Sequence, residues 1–205
     1  MEILSAAGAE LTGPGTWRLT GLLRGLGGSE AAAGRGAPAG SLIVRLDDGA
    51  VVPLVDRLDE AGRSFRCRIG PAGRDPADPL FTEVTAGAGL SALTPLSPVH
   101  LRARREAAGI RLSWTRRSRR AGDAWEPVEV PLDEPSEAYA VALFASDGRI
   151  LRSLTASAPS LLYPAADESA DFGAPQTVIE IAVAQLGTVA GPGPARRARV
   201  PVRAG

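Results

Sequence analysis

The feature that most constrains the fold is a strand–turn–strand pattern at residues 136–154, with the sequence SEAYAVALFASDGRILRSL. Tyr139 and Val141 alternate with small residues, as on a strand that buries one face. The pair Asp147-Gly148 follows, and such a pair favours the tight turn of a hairpin because glycine tolerates positive φ. A second apolar run comes directly after it. The sequence therefore predicts a β-hairpin, around which the other strands of the C-terminal half are added.

The rest of residues 98–205 contains further short apolar runs with turn residues between them, about seven runs in all. Trp114, in GIRLSWT, takes an inward position and is expected in the core. Residues 178–186, VIEIAVAQL, predict the longest strand, and residues 199–202 predict a terminal edge strand. Residues 164–176 are interpreted as a polar connection. The number and size of the runs are typical of a two-sheet β-sandwich.

Residues 1–94 have a different organisation, that of a small β module followed by a linker. We expect about five strands in its first ~70 residues. The run SLIVRL at residues 41–46 is among the strongest, and SFRCRI at residues 64–69 alternates apolar residues with arginine. Cys67 lies on the apolar side of that alternation, so it is interpreted as a small buried hydrophobe. Two prolines just beyond residue 94 mark the joint to the second domain.

Composition argues against a nucleic-acid partner, a membrane partner and an intrachain disulfide. The chain has 23 basic and 23 acidic residues, so nothing in its charge favours nucleic acid or a membrane surface. No run approaches the ~20 apolar residues that span a bilayer, and the N-terminus lacks the basic region of a signal peptide. One cysteine cannot form an intrachain disulfide. With 24 Gly and 17 Pro, the chain is turn-rich, which suits many short strands.

Eight arginines crowd residues 102–120, and they allow two interpretations. One is an anion site for phosphate, an acidic glycan or nucleic acid, since guanidinium groups bind such anions. The other, which we favour, is a solvated face whose arginines point outward or pair with acidic residues just downstream. Arg119 and Arg120 are the candidate binding residues if the segment takes a ligand.

Trp125, in the loop GDAWEPV, is the third candidate binding residue. An exposed aromatic ring in such a loop could stack on a sugar. Packing of the ring over the edge of the sandwich is the interpretation that we favour. The loop therefore adds a weak hint of carbohydrate binding.

No set of residues specifies a reaction, so we expect no enzyme, no catalytic residue, no metal site and no cofactor. His100 is the only histidine, and no serine lies nearby in a G-x-S-x-G motif. A metal site would need more ligands than His100 and Cys67 supply. The acidic residues lack the spacing of a calcium loop, and a chain without lysine cannot form a P-loop.

Two sets of residues resemble a family of tail proteins. Residues 17–30, WRLTGLLRGLGGSE, resemble the W-x-L-S-G-L-L-R-G-x-x-G-T-E segment of the host-specificity, or "megatron", baseplate protein of gene transfer agents and siphophage tails. A second set resembles the fibronectin type III-like module at the C-terminus of the same proteins. It comprises PVHL at 98–101, WTRR at 114–117, VPL at 130–132, SEAY at 136–139, Tyr163 and ADFG at 170–173. The two sets occur in the family's order and span most of the chain.

The resemblance implies a fold and a role. The fold is all-β, with the small module at residues 1–94 and a fibronectin type III-like sandwich at residues 98–205. The role is that of a structural or adhesion component of a phage-tail-like baseplate or tail tip, in contact with the recipient cell surface. The implied partners are other tail proteins such as the hub, a cell-surface glycan, and further copies of the chain in a trimeric assembly. The implied location is a virion or tail-like particle assembled in the bacterial cytoplasm.

The sequence also departs from that family. Full-length members carry an upstream glycoside-hydrolase-like region that 205 residues cannot hold, so the chain is expected to be a C-terminal part or a split-off product. The tyrosine-corner pattern L-x-P-x-T-x-Y of ordinary fibronectin modules is missing. Two alternatives remain open: a carbohydrate-binding accessory module of a cell-wall hydrolase, and a small hydrolase in the N-terminal module.

Overall fold

The structure is a computed structural model that describes residues 1–46, 62–87, 89–119 and 130–205. It is an all-β protein, as the sequence predicts, with short helices between some strands. The chain divides into two compact units. One comprises Met1–Arg35 together with Leu93–Gly205, and the other comprises Gly36–Ala92. The domain boundaries 1–94 and 98–205 stay a prediction.

The first element is a long antiparallel hairpin. Strand β1 (Ile3–Gly13) pairs with β2 (Thr16–Leu26) along almost its whole length, with a tight turn at Pro14-Gly15. Gly15 has φ of 66°, a conformation that glycine adopts without steric cost. A short helix, α1 (Glu30–Arg35), follows and packs against β2.

The unit Gly36–Ala92 contains a second, shorter hairpin. Strand β3 (Ser64–Ile69) pairs antiparallel with β4 (Thr82–Gly87), as the alternation of apolar residues with arginine predicts. Cys67 of β3 is half-buried, so its interpretation as a small buried hydrophobe is wrong. A 3-10 turn at Ser91–Leu93 leads out of the unit.

The remaining strands form the sandwich. They are β5 (Val99–Glu106), β6 (Gly109–Thr115), β7 (Tyr139–Phe144), β8 (Ile150–Ala156), β9 (Ser160–Pro164), β10 (Val178–Gly187), the short β11 (Gly191–Pro192) and β12 (Arg196–Arg203). One sheet has the order β9-β6-β5, and the other has the order β8-β7-β10-β12. This arrangement of three strands over four is the predicted fibronectin type III-like sandwich.

The last strand of the sandwich links its two sheets. Strand β12 pairs antiparallel with β10 and also, at its end, in parallel with β5. The parallel pairs are Val202 with Ala103 and Arg203 with Arg104. The prediction of a terminal edge strand at residues 199–202 is therefore wrong, because β12 has a neighbour on each side.

The core lies between the two sheets and draws on the inward residues of each. Trp114 of β6 is 6% exposed, and its ring meets the ring of Tyr139 edge to face at 5.0 Å between centroids. The Tyr139 hydroxyl donates a hydrogen bond to Glu137. Burial away from water raises the pKa of Tyr139, and the hydrogen bond to Glu137 adds to the shift. The expected core tryptophan is thus confirmed, and its partner is the first residue of β7.

The hairpin predicted at residues 136–154 is confirmed as β7 and β8. The turn closes through the Arg149 carbonyl, which accepts from the Ala145 N–H at 2.8 Å. Gly148 has φ of 85°, and the Asp147 carboxylate accepts from the Arg149 N–H at 2.9 Å. The local chemistry of Asp and Gly is therefore what fixes this turn.

The connection between β9 and β10 differs from the prediction. Residues 164–176 were expected to be a polar connection, and they contain the helix α2 (Ala165–Phe172). The helix ends at Gly173, whose φ of 75° lets its N–H bond to the Ser169 carbonyl at 2.9 Å. This helix stands where the missing tyrosine-corner pattern would lie.

One further expectation is corrected. Residues 41–46 form no strand and their apolar side chains are exposed, so the prediction of a strong strand there is wrong. Of the five strands expected in the first ~70 residues, three lie in the described part of that region, and residues 47–61 lie outside it. Strand β10 is the longest strand of the sandwich, as residues 178–186 predict.

Candidate interaction surface

The β1–β2 hairpin, like the shorter β3–β4 hairpin, pairs with no other described strand. The two strands form a sheet of their own, and both outer edges present backbone N–H and C=O groups without a strand partner in the described structure. A two-stranded hairpin is marginally stable alone, and a bare edge is a template for pairing with another chain. The hairpin is therefore a candidate site of assembly.

One face of this hairpin is apolar and uncovered. Leu11 lies directly opposite Trp17, and Ala9 lies directly opposite Leu19. The two pairs are two residues apart along the strands, so all four side chains share a face. Leu11 is 58% exposed, Trp17 is 60% exposed and Leu19 is 39% exposed. We call these four residues the apolar hairpin face. Large exposed apolar groups that cluster in this way are typical of binding surfaces.

The base of the hairpin is held by specific polar contacts. Arg24 of β2 donates two hydrogen bonds to Glu2, at 2.8 and 2.6 Å. These bonds lower the pKa of the Glu2 carboxyl. The Ser29 hydroxyl accepts from the Ile3 N–H at 2.8 Å and donates to the Leu26 carbonyl at 2.7 Å. The start of β1 is thus fixed against the end of β2.

A further contact ties this base to the sandwich. Glu30, the first residue of α1, forms an ion pair of 2.6 Å with Arg117, which follows β6. Both side chains are about one third exposed. An ion pair at that exposure contributes modestly to stability, about 0–1 kcal/mol. Its main effect is to orient the hairpin base on the sandwich.

Two positions in β2 require glycine, because φ is positive there and neighbouring atoms lie too close for a side chain. Gly21 has φ of 61°, and a Cβ there would lie 2.8 Å from the Ala7 side chain. Gly25 has φ of 73°, and a Cβ there would lie 3.0 Å from the Glu30 Cα. Both glycines fall in WRLTGLLRGLGGSE, as do Arg24, Ser29 and Glu30. The residues of the tail-protein resemblance are therefore those that shape the hairpin and hold its base.

The predicted binding residues are placed differently. Arg119 forms an ion pair of 3.3 Å with Glu134, whose carboxylate also accepts from the Thr188 N–H at 3.0 Å. Arg120 and Trp125 lie outside the described residues. Together with residues such as Gln185, Arg119 lines a recess whose cavity volume is about 10 Å³. Binding pockets for small molecules are commonly larger, about 300–1,000 Å³.

The prediction that the arginine-rich segment is neutralised by acids downstream holds for some of its members. Arg116 lies 3.6 Å from Glu137, and Arg119 pairs with Glu134. Other arginines of the segment take partners elsewhere in the chain. These pairs are Arg105 with Glu168, Arg111 with Glu106, and Arg117 with Glu30.

The described residues also bear on metal and membrane binding. Within residues 1–46, 62–87, 89–119 and 130–205, no three His, Cys, Asp or Glu side chains are grouped to hold a metal ion. None of the helices in those ranges combines the length and apolar character that a membrane span requires.

Comparison with known proteins gives one family match, to a part of the chain. A family described as "Rcc01698-like, C-terminal" matches residues 1–44, the region that contains the β1–β2 hairpin and α1. No curated protein matches the sequence.

Among solved structures, the extracellular region of rat CD45, domains d3–d4, is similar over 80% of this chain and 77% of its own. That likeness has 12% identity and a TM-score of 0.35. The fold assignment rests on the strand order, and this likeness adds nothing to it.

The sequence does not reveal the apolar hairpin face. The alternation of Trp17 and Leu19 with polar residues predicts only a strand of the small N-terminal module. One signal was available in the same strand. Leu22 and Leu23 are consecutive, so one leucine lies on each face of the strand. Apolar residues on both faces indicate a strand that another chain or element packs against on both sides.

Proposed function

We propose that this chain is a structural component of a phage-tail-like baseplate or tail tip, of the gene transfer agent kind, and that it acts by binding. The single observation that carries the proposal is the apolar hairpin face, which lies within the residues that the "Rcc01698-like, C-terminal" family matches. An ordered hairpin with bare edges and an exposed apolar face needs a cover. A neighbouring protein of the particle provides that cover.

The proposed mode of binding is strand addition. A strand of another tail protein, such as the hub, pairs with an open edge of β1 or β2, and apolar side chains of that protein cover Leu11, Trp17 and Leu19. Main-chain hydrogen bonds then supply affinity, and the apolar contacts supply register. The contacts of Arg24 with Glu2 and of Ser29 with Ile3 keep the hairpin in shape before the partner arrives.

The sandwich serves as a rigid spacer in this proposal. Its buried core suits a module that holds position. Contact of this module with the recipient cell surface, and a trimeric assembly, remain proposals that rest on the sequence resemblance. The alternative of a carbohydrate-binding accessory module stays a prediction, since its aromatic candidate, Trp125, lies outside the described residues.

The experiment compares two variants in the cells that produce the chain. Trp17→Ser removes the largest group of the apolar hairpin face, and Val189→Ser removes an equally exposed apolar group from the β10–β11 loop. Purified particles are probed for the chain by immunoblot. We expect Trp17→Ser to be depleted from particles about tenfold or more, as for loss of a buried aromatic anchor. Val189→Ser should be retained.

Thermal melting of the two purified variants provides the control. Both side chains are exposed in the isolated chain, so both variants should melt like the wild type. Absence of the wild-type chain from particles would overturn the proposed function. Equal retention of Trp17→Ser and wild type would overturn the role of the hairpin in it.

A further inference from the structure

Three arginines form a row across neighbouring strands of the sandwich. Arg104 of β5 lies opposite Arg111 of β6 in the antiparallel pairing and opposite Arg203 of β12 in the parallel pairing. Paired residues of neighbouring strands share a face, and the strands lie about 4.8 Å apart. The next residues inward, Ala103 and Val202, pack in the core. The three guanidinium groups therefore extend from the outer surface of the sandwich.

A fourth arginine extends the row. Arg102 lies two residues before Arg104, opposite Ser113, and is exposed on the same outer face. Two-residue spacing along a strand returns the side chain to the same side. We call Arg102, Arg104 and Arg203 the arginine face.

The acids around the arginine face do not neutralise it. Glu106 pairs with Arg111 at 3.2 Å. Glu180 of β10 pairs with Arg197 at 2.7 Å. In the part of the chain that the structure describes, Arg102, Arg104 and Arg203 have no ion pair. Like charges opposite each other on paired strands disfavour folding, so the pairing of Arg104 with Arg203 is unfavourable and a bound anion would relieve it.

We propose that the arginine face binds an acidic polysaccharide through its carboxylate or sulfate groups. The planar guanidinium fork accommodates such groups with two parallel hydrogen bonds. A row of arginines across neighbouring strands presents its guanidinium groups along one line, and this arrangement suits an extended polyanion. The inference rests on the register of β5, β6 and β12, and it stands apart from the hairpin's proposed role.

Two other classes of polyanion fit the face less well. Protein interfaces centre on buried aromatic and apolar anchors, whereas the residues paired with Arg102 and Arg104 on the neighbouring strands are arginine and serine. Nucleic-acid-binding domains carry a strong excess of basic residues, and this chain has a pI of about 6.6. An acidic polysaccharide needs neither apolar anchors nor a basic protein.

The test measures binding of the purified full chain to polygalacturonate, with neutral dextran as the reference, at low and high salt. We expect salt-sensitive binding to polygalacturonate and none to dextran. The triple variant Arg102→Gln/Arg104→Gln/Arg203→Gln should bind at least about tenfold more weakly, since charge-assisted hydrogen bonds are lost. The single variant Arg104→Gln should show a smaller loss in the same direction.

A matched control removes the same charge elsewhere. Arg18, Arg66 and Arg149 are well exposed, and their nearest carboxylates lie 3.7 to 3.9 Å away. The variant Arg18→Gln/Arg66→Gln/Arg149→Gln should keep wild-type affinity. An equal loss in both triple variants would overturn the proposal, because the effect would then follow net charge alone. Absence of binding, or tighter binding to polyglutamate or duplex DNA than to polygalacturonate, would overturn it as well.

Discussion

Arg105 of β5 and Glu168 of α2 form a two-pronged ion pair between residues 63 positions apart in the chain. Glu168 is 2% exposed, and its carboxylate also accepts from the Gln176 N–H at 2.7 Å. The Arg105 guanidinium donates in turn to the Gln176 carbonyl at 2.8 Å. The pair therefore holds the helix and the start of β10 against the first strand of the sandwich.

Removal of this carboxylate should destabilise the sandwich. Glu168→Ala leaves Arg105 and the Gln176 N–H without their acceptor. Breaking a buried pair costs about 3–5 kcal/mol, and the partial exposure of Arg105 reduces the expected loss to about 2–4 kcal/mol. Urea unfolding followed by circular dichroism measures it. Glu106→Ala is the control, since its pair with Arg111 is about 40% exposed and should contribute less than ~1 kcal/mol. Equal losses in the two variants would contradict this account.

Stability should fall in acid through two carboxylates. Hydrogen bonds from Arg105 lower the pKa of Glu168, and hydrogen bonds from Arg152 lower the pKa of Asp171. A lowered folded-state pKa means that the unfolded chain takes up protons first as pH falls. The stabilisation is thus complete above the ordinary carboxyl pKa of about 4 and is lost as pH falls through the lower folded-state values.

Melting temperatures at pH 7, 5, 3 and 2 test this dependence. The wild type should melt similarly at pH 7 and pH 5 and progressively lower at pH 3 and pH 2. The variant Glu168→Gln/Asp171→Asn should start lower at pH 7 and lose less on acidification. A variant that loses as much as the wild type between pH 5 and pH 2 would assign the effect to other carboxylates.

Two glycines of the sandwich should differ sharply in their tolerance of alanine. Gly109 has φ of 146°, and a Cβ there would lie 2.2 Å from the Tyr163 carbonyl oxygen of the neighbouring strand. Gly148 has φ of 85°, but the nearest atom to its Cβ would be an Arg197 side-chain nitrogen at 3.7 Å. Gly109→Ala should cost more than ~3 kcal/mol, against about 1 kcal/mol for Gly148→Ala. Comparable urea midpoints for the two variants would be inconsistent with this packing.

The two described tryptophans should also respond differently. Trp114→Ala removes a buried ring and its contact with Tyr139, so it should cost about 3–5 kcal/mol. Trp17→Ala removes a ring that is 60% exposed, so the free energy of unfolding should change by less than ~0.5 kcal/mol. Urea unfolding curves of the two variants give both values. A large loss from Trp17→Ala would show that the hairpin ring packs against the chain's own core.

The sequence predicts the sandwich well because its determinants are local. Asp147 and Gly148 specify a turn by their own chemistry, whatever the rest of the chain does. The alternation around Trp114 identifies the buried side of β6, since side chains on a strand repeat every two residues. These signals are read from neighbours in the sequence, and the structure confirms both.

The errors arise where distant partners decide the outcome. Residues 41–46 have strong strand propensity, but a strand needs a neighbour, and the described structure provides none there. Helix α2 is short and polar, so its pattern is weak. It is held by Arg105 and Arg152, which precede it by many residues, and no local rule reveals those contacts.

The candidate site could be predicted only in part. The resemblance drew attention to residues 17–30, which do shape the hairpin. The apolar hairpin face could not be predicted, because alternating apolar residues in a strand predict a core, and the exposure of Leu11 and Trp17 is seen only in the described structure. The arginine face depends on the parallel register of Arg203 with Arg104, which joins residues from the two ends of the sandwich.

The parallel pairing of β12 with β5 also governs how the sandwich responds to mechanical force. Because the first and last strands run in the same direction, the chain enters the sandwich at one end and leaves it at the other. A pull on both ends then slides the two strands past each other, and the hydrogen bonds between them must break together. The pairing consists of Val202 with Ala103 and Arg203 with Arg104, so the load of such a pull would fall on these two pairs together.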